Sequence, residues 1–275
     1  MAASFHTRSN SLPSRSHPLT SEVDQHLSRL SSSQSASTSS INSLQDLHDA
    51  VDKMLQLPLV QQALSQGHQK KLVDELINGS LRNLDICNIA QNSLLQTKES
   101  LQELQSVLRR RRGDETELSS EIKKYLASRK TVKKSIHKDL GNLKGMENKC
   151  TSLTNEEHVN MLKEVEVVTF GAFESMLSFI SGPRIPSKLS GLSFVSKLIS
   201  PKRILCEDDK TEVNQFEKMD AALSTHKTTK SDNIFLLQDQ LKELESCIQD
   251  LEEGLESLSR RLIKARVSLL NIVNN

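Results

Sequence analysis

The last forty or so residues place an apolar side chain at alternating steps of three and four: Ile234, Leu237, Leu241, Leu244, Ile248, Leu251, Leu255, Leu258, Leu262, Ala265, Leu269 and Ile272. That spacing keeps one apolar stripe on one side of a continuous helix. Burying each aliphatic side chain is worth roughly 1.5–3 kcal/mol, so another helix must cover the stripe. Leu241, Leu244, Ile248, Leu251, Leu255, Leu258 and Leu262 are therefore a candidate helix–helix seam. The flanking positions, among them Cys247, Gly254, Ser259 and Ser268, hold no complementary Glu/Lys pairs that would specify a dimer. The expectation is a seam covered by the chain's own helices, with homo- or hetero-oligomerisation as the alternative.

Upstream, the helical period returns in blocks. Leu44, Leu47, Val51 and Leu55 share a face behind Ser43 and Asp46, a helix start, and Pro58 kinks or restarts that helix. A long helix is predicted from His68 to Arg112. Gly113 stops it, and Asp114 with Glu117 caps the next, which runs to about residue 149 and buries Leu118, Ile122, Leu126, Ile136, Leu140 and Leu143. Thr154–Glu157 forms a capping box for a helix ending near Gly182-Pro183. Residues 183–206, with Pro183, Pro186, Gly191 and Pro201, read as an irregular connection. Asp209 with Glu212 predicts a further helix, bending near Thr225–Ser231 before the seam.

Residues 1–42 are rich in serine, poor in apolar side chains and without a period, so they are expected to be disordered. The predicted fold is all-α. It is an elongated bundle of long antiparallel helices over 43–275, with a coiled-coil-like heptad helix at the C-terminus and a disordered Ser-rich N-terminal tail at 1–42.

Composition narrows the function. With 36 basic and 35 acidic residues the net charge is +1, so no global field recruits nucleic acid or lipid, and any electrostatic role is local. The four cysteines, at 87, 150, 206 and 247, lack the short spacing of a zinc site and read as reduced thiols. The longest apolar stretch, Val165–Ser181, is short and carries Glu166 and Glu174, so a buried helix is expected rather than a membrane span. No histidine pattern, phosphate loop or nucleophile elbow is present. A non-enzymatic protein is expected, with no catalytic residue, cofactor or metal.

Three local features carry the remaining chemistry. Arg8-Ser9-Asn10-Ser11-Leu12-Pro13 has the form of a phosphoserine-dependent 14-3-3 docking site, with Arg8, Ser11 and Pro13 as its determinants. Residues 109–149 hold thirteen Lys or Arg against six Asp or Glu. Arg109–Arg112 complements a helix C-terminus there, while a nuclear-import or nucleic-acid surface is the alternative. Only Tyr125 offers a stacking platform in that region, so nucleic acid is not the expected partner. From Ser175 to Cys206 there is no acid but Arg184, Lys188, Lys197, Lys202 and Arg203 occur among Leu and Phe residues, a candidate contact for anionic lipid. The first 21 residues also lack acids, as a plastid transit peptide does. A cytoplasmic location is expected, with peripheral membrane, plastid and nucleus as alternatives.

Three blocks together resemble one family. They are Phe5–Arg15; Leu47-His48-Asp49-Ala50-Val51 with Leu57-Pro58, Leu84-Asp85-Ile86-Cys87 and Arg109–Arg112; and Val213–Leu223 with Leu251–Glu256 and Arg260–Asn271. Over nearly its whole length the chain is similar to the plant BYPASS-like proteins, the domain-of-unknown-function 241 family. The resemblance implies a helix-rich protein linked to root and shoot development. It carries no catalytic residue over, and it leaves open a role in regulating the synthesis of a small-molecule signal.

Overall fold

A computed structural model describes residues 17–32, 38–65, 70–110, 115–146, 157–182, 214–225 and 231–274. Among them are eight helices and no strand: α1 (Pro18–Ser32), α2 (Thr38–Leu55), α3 (Pro58–Ser65), α4 (Lys70–Arg110), α5 (Glu115–Met146), α6 (Glu157–Ser181), α7 (Gln215–Thr225) and α8 (Ser231–Asn274). At 41 and 44 residues, α4 and α8 are about 60 and 65 Å long and set the elongated form.

Local sequence explains the breaks. Pro58 sits at the first position of α3, where its missing N–H has no helical partner to lose, so the chain restarts there. Gly182 ends α6 in the left-handed region at φ 71°, and its N–H bonds Ser178 O at 2.9 Å. Asn214 opens α7, its Oδ1 accepting from the N–H groups of Phe216 at 2.9 Å and Glu217 at 3.3 Å. Asn214 is thus the cap for that helix; Asp209 and Glu212, expected in that role, lie outside the described residues.

Two expectations need correction. The segment assigned to a structureless tail contains α1, and α2 starts at Thr38 rather than Ser43. Val23, Leu27 and Leu30 follow a helical i, i+4, i+7 spacing and are buried, a sparse stripe that the surrounding serines obscure. Nor are all neighbouring helices antiparallel. α4 does run antiparallel to α8, with Ser80 beside Arg266 and Gln105 beside Glu245, and to α5, with Thr97 beside Arg129 and Ser100 beside Ser128. But α2 runs parallel to α8, with Gln45 at Gly254 and Asp49 at Arg261, and α4 parallel to α6, with Glu75 at Lys163 and Arg82 at Glu166. The parallel neighbours arise because helices next to each other in space are not always next in sequence: α5 returns the chain between α4 and α6, so two reversals leave that pair parallel.

Candidate functional site

The seam of α8 is the floor of the bundle. Leu241, Leu244, Ile248, Leu251, Leu255, Leu258 and Leu262 are each at most 2 % exposed, on a helix packed against α2, α4 and α7. Polar contacts hold the register on both flanks. Toward α4, Lys98 pairs with Glu252, Gln105 Nε2 donates to Glu245 Oε2 at 2.9 Å, and Arg266 reaches Ile77 O. Toward α2, Arg261 grips Asp49 with two bonds of 2.8 and 2.9 Å, and Lys264 lies 2.8 Å from Asp52. Gly254 lets α2 approach, because a Cβ there would stand 2.8 Å from Ile41 Cγ2. Cys87 faces α8 and donates its Sγ–H to Leu255 O at 3.8 Å, and burial pushes its thiol up to about 12. Buried and protonated, it has the setting of a structural thiol.

A second cluster gathers where α4, α5, α6 and α7 meet. Its centre is Arg129, 1 % exposed. The guanidinium donates to Ile180 O at 2.6 Å, to Thr97 Oγ1 at 3.3 Å and to both oxygens of Asp220 at 3.2 and 3.4 Å. It also lies 5.1 Å from the Phe216 ring centroid, and Lys133 Nζ reaches Asp220 Oδ2 at 2.9 Å. Asn214 Nδ2 donates to Phe179 O at 2.7 Å, and the Phe179 and Phe216 rings meet edge to face at 5.6 Å. Together these groups fasten the end of α6 to the start of α7. Sequence reasoning named the apolar face of α5 but passed over Arg129. Its position seven residues from both Ile122 and Ile136 was the available signal, since that spacing puts a cation on the buried face.

A third polar cluster lies under α2. His48, 4 % exposed, shares a hydrogen bond with Thr169 Oγ1 on α6 at 3.1 Å, and Asn83 Nδ2 donates to Glu166 O at 3.4 Å. His48 Nδ1 and Asn83 Oδ1 are buried without a protein partner. Both residues line a cavity of about 50 Å³ with Val51, Leu76, Leu262 and Leu269. A cavity of ~150 Å³ accepts benzene, so this one has room for a few waters. Desolvation by burial lowers His48 to about 4, with Arg261 pushing the same way and Asp49 against, so the ring is neutral at pH 7.

The other sequence-derived sites fall elsewhere. Arg8, Ser11 and Pro13, and Arg184, Lys188, Lys197, Lys202 and Arg203, lie outside the described residues. Arg109 and Arg110 do close α4, where Arg110 Nε donates to Ser106 O at 3.4 Å. Among the described residues no group of three or more His, Cys, Asp or Glu is placed to hold a metal, and no helix is long and apolar enough to cross a membrane.

The family model described as "Protein BPS1" matches residues 40–272, nearly the whole chain. No curated protein and no solved structure matches it.

Proposed function

The chain belongs to the BPS1 family, and from that premise we propose a non-enzymatic interaction protein acting in root and shoot development. In this reading the bundle is a rigid carrier and the N-terminal segment is a docking site, where phosphorylated Ser11, with Arg8 and Pro13 beside it, recruits a 14-3-3 adaptor. The observation that carries the reading is the occupied seam. With Leu241 through Leu262 buried against α2, α4 and α7, the strongest helix-binding surface in the sequence is spent inside the chain, and partner recognition falls to other surfaces, the N-terminal segment among them. Binding of the 14-3-3 adaptor to the full chain, phosphorylated at Ser11 or not, tests it. Capture that needs the phosphate supports the reading; equal capture of both forms, or none of either, defeats it.

A second reading is peripheral membrane contact through Arg184, Lys188, Lys197, Lys202 and Arg203. It is favoured by the lack of any acid between Ser175 and Cys206 and by the Leu and Phe residues interspersed there.

A further inference from the structure

Helix α5 is charged on one side. Lys123, Lys130, Lys134 and Lys138 are all exposed and follow one another at steps of seven, four and four, with the exposed His137 beside them. At 3.6 residues per turn they fall in a sector about 80° wide along about 22 Å of helix. The nearby acids lie off the row, with the exposed Glu117 and, on α4, Glu103 close enough to act on Lys124. Glu121 is buried and 3.0 Å from Lys124, and Asp139 accepts a 3.0 Å bond from Ser135. The opposite face of α5 is the buried one, with Ile122, Tyr125, Val132 and Ile136. Tyr125 is inside, so the exposed His137 is the one ring beside the row on which a base could stack, too little for a stacking platform.

The charge of the whole chain does not reveal this, because the balancing acids sit elsewhere. Asp239, Glu243, Asp250, Glu253 and Glu256 are exposed on α8, which packs on a different flank of α4 from α5. Lys242 and Arg260 pair with Asp239 and Glu256 there, yet exposed acids still outnumber exposed cations on α8, so the charge is unevenly spread and a negative surface favours α5 inward. The point where the chain leaves α6 and returns at α7 also lies against α5, through Arg129 to Ile180 and Asp220 and Lys133 to Asp220.

We propose that the lysine row of α5 is the face with which the protein lies on an anionic lipid surface. A straight row of cations engages a plane of negative headgroups all at once. Four lysines near such a surface together raise partitioning on the order of several hundred-fold. The proposal rests on the peripheral-membrane reading but assigns the contact to a different surface.

Sedimentation of the full chain with phosphatidylcholine vesicles, with and without phosphatidylserine, tests it at low and high salt. Lys123→Gln, Lys130→Gln, Lys134→Gln and Lys138→Gln combined keep helix propensity nearly constant, so helicity and Tm should not move. The expected result is phosphatidylserine-dependent binding that falls on the order of a hundred-fold in this variant and weakens with salt. If this variant binds like the wild type, while replacing Arg184, Lys188, Lys197, Lys202 and Arg203 with Gln abolishes binding, the α5 surface is wrong and the membrane reading stands. A wild-type chain that ignores phosphatidylserine overturns both. Lysine-dependent binding to single-stranded RNA that exceeds binding to vesicles replaces the lipid with a nucleic acid.

Discussion

The α8 seam and the Arg129 junction hold the same bundle together by opposite means. The seam is a row of aliphatic side chains whose favourable burial is non-directional and spread over ten or so positions. The junction concentrates two cations, one carboxylate, a helix-end carbonyl and two aromatic rings at a single point. A spread interaction tolerates loss in small steps. A concentrated one is tightly specified, and removing Asp220 strands the buried Arg129.

The largest effect should come from putting a charge where the seam has none. Leu251→Asp buries a carboxylate between α2 and α4 without a partner, and the chain should lose its helical circular dichroism and its cooperative melt. A variant that stays folded with unchanged mass would show that the seam is open to water.

Breaking the junction comes next. Asp220→Asn leaves Arg129 buried without its carboxylate and should cost about 3–5 kcal/mol, read from denaturant unfolding. Arg129→Met should cost less, because Asp220 keeps Lys133. Equal losses would mean that Lys133 does not hold Asp220 once Arg129 is gone.

Acid sharpens the contrast further, through His48. Its folded pKa of about 4 lies below the unfolded 6.5, so as pH falls the unfolded chain takes up a proton first. The stabilisation is complete above 6.5 and is lost on acidification toward 4, by about 3 kcal/mol in all. His48→Leu should flatten unfolding free energy against pH across that window. An unchanged slope would place the titrating group elsewhere.

Gly254→Ala should cost about 1–3 kcal/mol by pressing a methyl on Ile41. The exposed pair Arg260–Glu256 should be worth under about 0.5 kcal/mol when broken, and a larger loss would show that it is not simply solvated.

The difference between the two regions also decides what could be read in advance. Aliphatic periodicity belongs to one helix, so α4, α5, α6 and α8 were legible to within a few residues. The seam itself was legible because Leu241 through Leu262 repeat without a slip. The junction depends on which helices meet, and no spacing inside α5 announces Asp220, ninety-one residues away. His48 and Asn83 were hidden for the same reason, lying on separate helices whose neighbourhood only the fold creates. α1 was missed because four aliphatic positions, three of them buried, fall among serines below the density at which a period stands out.

The clamp between α6 and α7 has one more consequence. Asn214 is bonded to Phe179, and a Cβ on Gly182 would stand 3.1 Å from Glu217 Cγ, so the chain departs and re-enters at nearly one point. The placement of α7 against α6 is therefore fixed by these contacts and not by the length of the segment between 182 and 214. A single cut there would leave two fragments, one ending at α6 and one beginning at α7, with the seam and the Arg129 contacts still joining them. In effect this is a two-piece protein supplied as one chain.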